Sequence, residues 1–439
     1  MQQMIPAKCH KIAILGGGLA GLAASVFCGA PVYEASDSPG GVAGSDTTEG
    51  FTFDRGIHIL QSKNQLVLDL LAELGVRFRP FSRNAFIYSH GTYTPYPFQV
   101  NTAGLPIGVR ARCLSEFLSR HRNPEPTNYE EWMYRSLGRG FARTFLSPYS
   151  QKFWTIHPSA MTFEWTGSRI PQPTLWQVLR GAVWSRSTRI GSNFDFSYPE
   201  SGNGYGTIAK ALTARTGDVH CGWKAASIDV SARSVTFTNG ASIEYELLVN
   251  TIPLPELVRI CPQAPREVRK AADKLWTNSI FIVNLGIGRA NISDRHWVHF
   301  PESDVSFFRI SYPHTFGPHL VPPGTSSISA EVAYSHHRPI DKTAAVQRVI
   351  DDLIRVRALD RHDPIVVTTT RDIRYAYCVY DHNRKEALST VQNWLQKNGI
   401  ISCGRYGQWT YFWSDEAILS GKKAAEKVKE RNAFSAAFA

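Results

Sequence analysis

The sequence predicts an α/β fold in which one domain is assembled from separated segments, accompanied by a helical insertion and an antiparallel sheet domain. Three patterns along the 439-residue chain lead to this prediction. A short apolar run near the start breaks into glycines and resumes as small helix-forming residues. Residues 106–190 carry helical spacing with few strand signals, whereas residues 278–335 alternate between apolar and polar side chains.

The first element is a strand followed by a glycine turn and a helix, in the stretch KIAILGGGLAGLAAS (residues 11–25). Gly16, Gly18 and Gly21 match G-x-G-x-x-G, whose glycines allow a tight turn, close approach of a pyrophosphate and close packing of helix on strand. A second apolar strand, APVYEAS, carries Glu34 at about the 20-residue distance expected of an acid that accepts ribose hydroxyls. Because strand and helix signals frame the motif, we predict a Rossmann-type dinucleotide-binding domain rather than a glycine-rich turn without a ligand.

The later elements follow from periodicity. Helical spacing predicts helices over five segments, 64–76, 205–216, 343–358, 385–398 and 415–430. Alternation predicts a hairpin over 85–100 with its turn at His90-Gly91, a small meander over 226–253 with an Asn-Gly turn, and a strand region over 365–380.

These elements group into three predicted domains. The Rossmann-type domain takes residues 1–85 with 200–265 and 385–439. The helical domain, expected to act as a lid over the substrate, takes residues 106–195. The antiparallel sheet domain takes residues 86–105 with 266–384, and we expect it to form the rest of the substrate site.

Composition narrows the classes of function. The net charge is +11 and the pI about 9.3, but lysine and arginine are spread along the chain without a basic block or a nucleic-acid motif. We therefore predict a mildly basic cytoplasmic protein that does not bind nucleic acid, although the charge is compatible with an anionic substrate. No apolar run reaches 18 residues and no signal-peptide pattern is present, so we expect no membrane partner. The sequence is compatible with a homo-oligomer but does not establish one.

Cysteine and histidine do not form a pattern typical of a metal site or a disulfide framework. The seven cysteines are odd in number and scattered, and no C-x-x-C occurs, so we expect reduced thiols. The adjacent His336 and His337 lack a third ligand at metal spacing, which favours a pair on the surface. The sequence thus predicts no metal site.

Three further segments narrow the choice of dinucleotide. EASDSPGGVAGS (34–45) places Gly40 and Gly41 directly after the ribose acid, VNTIP (249–253) ends a predicted strand, and GRYGQWTYFWSDEAILSGKKAAEKV (404–428) leads an acid into a helix. Together they resemble the flavoprotein group that includes amine oxidases and protoporphyrinogen oxidase. The resemblance implies FAD as cofactor, held by Gly16, Gly18, Gly21, Glu34, Gly41, Gly404 and Asp415.

Within that group, motifs in order from about residue 10 to residue 430 resemble the UDP-galactopyranose mutase family. They are TPYPFQVNTAGLP (94–106), FLSPYSQKFWTIHPSAMTFEWTGSRIPQP (145–173), SYPESGNGYGTIAKAL (197–212), FFRISY (307–312), YAYCVYDHNR (375–384) and GRYGQWTY (404–411). The resemblance implies a flavin-dependent pyranose–furanose mutase that acts on a nucleotide-diphosphate sugar, with galactofuranose as the family's product.

The resemblance assigns three candidate catalytic residues. Arg169 in WTGSRIPQP and Arg309 in FFRISY fall on the family's two diphosphate arginines, whose planar fork suits phosphate oxygens. His58 in DRGIHIL falls on the histidine that the family places against the flavin. A structural salt bridge would also explain either arginine, and a buried imidazole would also explain His58.

Aromatic residues complete the candidate substrate site. Tyr377 and Tyr411 fall on tyrosines that contact the diphosphate in the family, and Tyr312 is the candidate for a further family tyrosine. Three others are candidates for a base-stacking pocket, although core packing is the commoner explanation of such residues: Phe153, Trp154 and Trp165. The segment ILQSKN after His58 lacks the second histidine common in bacterial mutases, which leaves the sugar open.

The resemblance also implies a mechanism. In that mechanism N5 of reduced FAD would attack the anomeric carbon and displace the nucleotide diphosphate. The adduct would open to an iminium, the sugar would reclose through a different hydroxyl, and the returning diphosphate would release the flavin. An electron donor such as NAD(P)H or a reductase is then required. The alternative is an oxidoreductase of the amine oxidase or protoporphyrinogen oxidase type, which shares the same frame. Two arginines facing the flavin would favour the mutase. An apolar or aromatic cage beside the flavin would favour the oxidoreductase, and a blocked pocket would favour a flavin-binding protein without catalysis.

Overall fold

The computed structural model of the protein describes residues 8–120, 124–167, 169–184 and 194–437, and combines two seven-stranded sheets with helices. In chain order the strands are β1 (Lys8–Leu15), β2 (Val32–Tyr33), β3 (Ser45–Thr48), β4 (Phe51–Asp54), β5 (Phe78–Phe81), β6 (Ala85–Ser89), β7 (Thr92–Pro95), β8 (Phe196–Pro199), β9 (Val219–His220), β10 (Ala225–Asp229), β11 (Ser234–Phe237), β12 (Ser242–Asn250), β13 (Thr277–Ile287), β14 (Trp297–His299), β15 (Arg309–Ser311), β16 (Ser326–Tyr334), β17 (Ile365–Cys378) and β18 (Ile400–Ser402). The helices are α1 (Leu19–Cys28), α2 (Gln65–Glu73), α3 (Ile107–Leu118), α4 (Tyr129–Phe141), α5 (Ser147–Trp154), α6 (Leu175–Val183), α7 (Thr207–Thr216), α8 (Leu254–Arg259), α9 (Arg266–Lys274), α10 (Lys342–Arg355), α11 (Arg384–Lys397), α12 (Gly404–Gly407) and α13 (Ser414–Ala437).

The first sheet is the Rossmann-type sheet and draws its strands from both ends and the middle of the chain. Its order is β10-β11-β12-β1-β2-β9, with β18 beside β12. Strands β2 and β12 pair with β1 in parallel, and β18 pairs with β12 in parallel. The apolar end of β1, from Ala13 to Leu15, is fully buried because helices cover the sheet on both faces. The α/β prediction is confirmed.

The second sheet has the order β17-β13-β16-β15-β14-β6-β7 and is antiparallel except where β14 pairs with β6. Strand β13 is buried along nearly its whole length because both of its faces are covered. Phe281, Val283 and Leu285 pack toward α10, whereas Ile280 and Ile282 point to the opposite side. This alternation leaves one face of the sheet for the helical insertion and for a cavity between them.

The helical insertion consists of α3, α4, α5 and α6, which pack around a core rich in aromatic side chains. Gly138 and Gly140 let α4 lie directly on α3, since a Cβ on Gly140 would stand 2.7 Å from the Cα of Cys113. Gly181 does the same for α6, where an added Cβ would stand 2.0 Å from the carbonyl oxygen of Val100. These close approaches hold α6 in a fixed position beside residues 98–100.

Most predicted elements occur where the sequence indicated. The hairpin turns at His90 and Gly91, both with positive φ, between β6 and β7. The meander β10–β11–β12 turns through Gly240, and helices begin within a few residues of each predicted start. His336 and His337 are exposed and lie near the ring of Trp276, as predicted for a surface pair.

Two further structural observations bear on the sequence-based expectations. Six cysteines are free of disulfides: Cys28, Cys113, Cys221, Cys261, Cys378 and Cys403. In the described ranges no helix is long and apolar enough to cross a membrane, and no group of three His, Cys, Asp or Glu side chains could hold a metal ion.

Candidate active site

The glycine turn after β1 forms a cradle suited to a dinucleotide pyrophosphate. Gly16 has a φ of +98°, which lets the chain turn sharply into α1. An added Cβ on Gly18 would have nothing within 4 Å, so this side of the turn is open. Gly18 also caps α1 without a side-chain hydrogen bond, and the helix N-terminus can therefore receive an anion on its backbone N–H groups.

Glu34 lies beside this cradle, at the end of β2. Its Oε2 accepts a hydrogen bond from the N–H of Gly17 at 2.6 Å, and its Oε1 accepts one from the N–H of Ser36 at 2.8 Å. The residue is buried. These two bonds hold the carboxylate next to the turn, where its remaining lone pairs can accept ribose hydroxyls.

The other candidate cofactor residues surround the same turn. Gly41 has a φ of +55°, and an added Cβ would stand 3.3 Å from the Cα of Gly18, so the second glycine pair contacts the first. Gly21 and Gly404 are glycines for packing, because an added Cβ would stand 2.0 Å from the Gly16 carbonyl oxygen and 2.7 Å from the Cβ of Ala20, respectively. Asp415 lies in the first turn of α13.

A cavity of about 320 Å³ extends from the second sheet to the helical insertion and to the loop before α13. It is lined by residues from elements far apart in the sequence, including all three candidate catalytic residues, His58, Arg169 and Arg309. Five candidate substrate residues also line it: Phe153, Trp154, Trp165, Tyr377 and Tyr411. The fold therefore brings eight predicted site residues together.

Arg309 is held by Glu331 across two neighbouring strands. The register pairs Arg309 of β15 with Glu331 of β16, and Nε and Nη2 both donate to Oε2, at 3.1 and 2.6 Å. Oε1 of the same carboxylate accepts the backbone N–H of Ile57 at 3.1 Å. Burial alone would lower the pKa of Arg309, but the Glu331 charge raises it above its ordinary value. The guanidinium therefore stays charged and rigidly placed.

Arg169 reaches the cavity from the helical insertion and is stacked on aromatic rings. Its Cζ lies 5.0 Å from the ring centroid of Tyr411 and 5.3 Å from that of Trp413. Its Nη2 donates to the carbonyl oxygen of Tyr411 at 2.8 Å and lies 3.3 Å from Oε2 of Glu416. This partly buried guanidinium thus joins the insertion to the chain that leads into α13.

Arg405 is a third guanidinium in the cavity wall, which the sequence analysis did not identify. Its Nη1 donates to the carbonyl oxygen of Ala376 at 3.3 Å and its Nε to that of Phe412 at 3.1 Å. Its Cζ lies 5.5 Å and 5.6 Å from the ring centroids of Tyr377 and Tyr411. Its polar partners are carbonyl oxygens rather than a carboxylate, so its charge is not cancelled locally.

His58 faces two of these arginines and is neutral. Its Nδ1 lies 3.0 Å from the carbonyl oxygen of Gly56, which can only accept, so Nδ1 carries the proton and Nε2 remains an acceptor. Burial lowers the pKa of His58 to about 4, helped by the charges of Arg405 and Arg309. The imidazole also lies over the ring of Tyr205, with 5.4 Å between ring centroids.

The aromatic residues form a connected wall. The rings of Phe153 and Tyr377 lie 4.6 Å apart, those of Trp154 and Trp165 5.0 Å apart, and Tyr377 and Tyr411 5.4 Å apart. Burial raises the pKa of Tyr411 to about 12, against the opposing charges of Arg405, Arg169 and Arg309. Its hydroxyl therefore remains protonated and can donate a hydrogen bond.

Tyr312 is the one candidate site residue that the structure places in the wrong part of the molecule. It is buried in the cluster beneath α10 and does not line the cavity. Arg309 and Tyr312 are three residues apart in extended chain, so their side chains leave opposite faces of the strand. Because Arg309 faces the cavity, Tyr312 cannot.

Other cavity residues were missed from the sequence, among them Arg83, Tyr149, His299 and Glu331. Tyr149 donates to or accepts from Nδ1 of His299 at 2.8 Å, and burial lowers the pKa of that histidine well below its ordinary value. Arg83 is partly buried, and its Cζ lies 4.9 Å from the ring centroid of Trp297. Glu331 had a readable signal, since it interrupts the apolar strand SSISAEVAY.

The cavity lining carries more positive than negative charge. Five arginines line it, namely Arg55, Arg83, Arg169, Arg309 and Arg405, and among its described lining residues Glu331 alone carries a carboxylate. Two of the arginines are paired with carboxylates outside the lining, Arg55 with Asp46 at 2.8 Å and Arg169 with Glu416 at 3.3 Å. Such an excess of guanidinium groups attracts an anionic ligand and disfavours a cationic one.

The fold and the glycine cradle define a flavoenzyme. The chain belongs to the family of flavin-containing amine oxidoreductases, whose model matches residues 31–429. FAD is its cofactor, and the cradle around Gly16, Gly18 and Glu34 fits that dinucleotide.

Among solved structures, the protein is similar to reduced UDP-galactopyranose mutase, with 28% identity, a TM-score of 0.91, and coverage of 97% of this chain and 94% of that one. It is also similar to a protein from Exiguobacterium assigned as a protoporphyrinogen oxidase, with 16% identity, a TM-score of 0.75 and coverage of 97% and 100%. Putrescine oxidase bound to putrescine matches with 16% identity, a TM-score of 0.65 and coverage of 97% and 100%. The last two similarities concern the fold alone.

Proposed function

We propose that the protein is a FAD-dependent mutase that interconverts the pyranose and furanose forms of a nucleotide-diphosphate sugar. The observation that carries this proposal is the charge of the cavity, with five arginines and one carboxylate among its described lining residues. A diphosphate is a compact dianion and needs such fixed cations. The similarity over nearly the full length of a UDP-galactopyranose mutase supports the same proposal.

When bound and reduced, FAD supplies the nucleophile for this chemistry, and its electrons come from a donor such as NAD(P)H or a reductase. The protein supplies position and charge. Arg309 is anchored through Nε and Nη2 by Glu331, which leaves Nη1 and the second Nη2 proton able to donate to diphosphate oxygens. As the bond from the sugar to the diphosphate breaks, negative charge grows on that oxygen, and Arg309 stabilises it.

Arg169 acts on the same diphosphate from the opposite wall. It sits on the helical insertion and contacts the chain before α13 through Tyr411 and Glu416. When a diphosphate enters, Arg169 can exchange its ion pair with Glu416 for hydrogen bonds to the phosphate oxygens. That exchange draws the insertion toward the substrate and excludes water from the reacting carbon.

His58 contributes an acceptor rather than a charge. With Nδ1–H donating to the Gly56 carbonyl, Nε2 is the free acceptor of the ring. A low pKa keeps the imidazole neutral at physiological pH, so it does not repel the arginines beside it. We infer that it orients a hydrogen-bond donor at the flavin side of the cavity.

Amine oxidation is the second candidate, since the family model carries that name. The aromatic rings of Tyr377 and Tyr411 could receive an amine, but guanidinium groups already lie about 5 to 6 Å from both rings. A protonated amine would meet like charges in the cavity. The electrostatics therefore favour the mutase.

The experiment compares both reactions on one preparation of FAD-loaded enzyme. Enzyme reduced with dithionite under nitrogen is offered UDP-, GDP- and dTDP-hexopyranoses, and products are separated by anion-exchange chromatography. The mutase predicts a new isomer of unchanged mass with reduced enzyme only. Oxidised enzyme in air is offered primary amines and polyamines while peroxide is measured. Peroxide release without sugar isomerisation would replace the mutase with the oxidase.

A further inference from the structure

Helix α6 is unusual because both of its faces are apolar. Val178, Gly181 and Ala182 are buried against the rest of the insertion. The opposite side exposes Leu175, Trp176, Leu179 and Val183, followed at once by Trp184. These five residues are here called the α6 face.

The α6 face concentrates exposed apolar surface in one place. Ten large apolar side chains are exposed in the described part of the chain, and five of them lie within residues 175–184. Trp176, Trp184 and Val183 are 72%, 63% and 82% exposed. Ile107, at the start of neighbouring α3, is 76% exposed and extends the patch. A contiguous apolar patch of this kind marks an interaction surface.

Positive charge borders the α6 face. Arg180 is exposed and follows Leu179 and Trp176 around the helix, and Nη1 of Arg110 on α3 donates to the Ala182 carbonyl at 3.0 Å. The thirty residues from Trp165 to Phe194 contain no aspartate or glutamate. Tryptophan and leucine on one side, arginine at the border and a flanking sequence without acids are the features of helices that lie in the headgroup region of a membrane.

We propose that the α6 face docks the protein on an anionic lipid surface. The charge argues against a second copy as the occupant, because a twofold contact through this face would bring Arg180 and Arg110 toward their own symmetry mates. Anionic headgroups would neutralise the same arginines. The sequence-based expectation of no membrane partner depended on the spread of basic residues along the chain and on the lack of a spanning segment, and neither observation detects an exposed apolar helix face.

The position of the α6 face gives docking a consequence for the active site. Pro171 lines the cavity, and its carbonyl oxygen accepts a hydrogen bond from Nε2 of Gln99 at 2.7 Å. Helix α6 begins four residues later, and the N–H groups of Thr102 and Ala103 donate to the Gly181 carbonyl. The docking face is thus rigidly joined to one wall of the cavity. Docking would place that wall beside the bilayer.

The test uses the full-length holoenzyme and sedimentation with vesicles. Vesicles of phosphatidylcholine mixed with phosphatidylglycerol are compared with vesicles of phosphatidylcholine alone, at low and high salt. We expect wild-type protein to bind the anionic vesicles, with binding weakened by salt. Trp176→Glu and Val183→Glu should each reduce partitioning about tenfold or more, since a charge replaces an inserted apolar group.

Controls separate docking from folding and from self-association. Val366→Glu changes another exposed valine, 51% exposed on β17, and should leave vesicle binding within about twofold of wild type. FAD content and thermal midpoint should match in all variants, because the substituted side chains face solvent. Equal binding by wild type and Val183→Glu, or no preference for anionic vesicles, would overturn the proposal. A wild-type dimer that Val183→Glu converts to a monomer would overturn it as well, by assigning the face to a second copy.

Discussion

Replacing Arg309 with lysine tests the role of the arginine fork with little change in charge. The guanidinium uses two N–H groups on Glu331, at 3.1 and 2.6 Å, and has three others. A lysine ammonium has three donors on one atom and cannot span the carboxylate and a diphosphate with the same geometry. We therefore expect the variant to keep its pairing with Glu331 and to lose at least one charge-assisted hydrogen bond to the substrate.

The expected loss follows from that single bond. A hydrogen bond to a charged group contributes about 1.5–3 kcal/mol, which corresponds to roughly a 10- to 150-fold effect. Because the bond strengthens as the diphosphate leaves, the loss should appear mainly in kcat, with a smaller change in KM. FAD should be retained, since Gly18 and Glu34 of the cradle belong to the other sheet.

The assay is steady-state isomerisation by dithionite-reduced enzyme, with FAD content read from the ratio of absorbance at the flavin and protein bands. Arg371→Lys is the matched control. Arg371 lies on β17 of the same sheet, about half exposed, and 3.6 Å from Asp46. A kcat for Arg309→Lys within about twofold of wild type, in enzyme with full FAD, would refute a role for the arginine fork in the reaction.

Three further predictions follow from buried groups. Glu34→Gln should weaken FAD binding about tenfold or more, because it replaces the carboxylate that accepts the Gly17 N–H with a neutral amide. The flavin lost on gel filtration measures this effect. Asp37 is exposed in the same loop, and Asp37→Asn should lose no flavin. Lys152 is buried, its Nζ donates to the Glu302 carbonyl at 2.7 Å, and burial lowers its pKa to about 7. Between pH 7 and 10 the unfolded chain therefore binds more protons at this lysine than the folded protein does, so the lysine makes the free energy of unfolding rise with pH. Lys152→Met should lower that slope by up to about 1.4 kcal/mol per pH unit in denaturant unfolding, and an unchanged slope would contradict the burial argument. His58→Asn should lower turnover without changing the shape of its pH profile between about 6 and 8, because a pKa near 4 keeps His58 neutral there; a lost inflection in that range would show that His58 titrates in catalysis.

Local patterns were sufficient for the parts of the fold that depend on neighbours in sequence. The glycine turn, the hairpin at His90-Gly91 and the meander through Gly240 each follow from a short motif with one stable backbone solution. Gly181 could not be interpreted in this way. A glycine is required at position 181 because the backbone of Val100, which lies far away in the sequence, packs directly against it.

The site was predictable where a family motif carried it and not where packing did. Arg169, Arg309 and His58 were named from motifs and share the cavity wall. Arg83 and His299 were not named, because nothing in their local sequence separates them from surface or core residues. Tyr312 was wrong because the motif FFRISY was read without its strand alternation, which directs Arg309 and Tyr312 to opposite faces.

The pair of Arg309 and Glu331 shows how topology builds a site that sequence distance hides. The two residues are 22 positions apart and meet because β15 and β16 are antiparallel in a register that places them opposite each other. Breaking such a buried pair by removing one partner typically costs about 3–5 kcal/mol. The strand alternation that buries Glu331 also directs its partner toward the cavity.

The most direct measurement is the mass of the flavin after reaction. Enzyme with full FAD is reduced with dithionite under nitrogen, mixed with UDP-, GDP- or dTDP-sugars and cyanoborohydride, and the released flavin is analysed by mass spectrometry. The proposed mutase predicts flavin heavier by one sugar with at least one member of the panel, which would also identify the substrate. Unmodified flavin with every member, from enzyme shown to be folded and FAD-loaded, would contradict the mutase and favour the oxidoreductase.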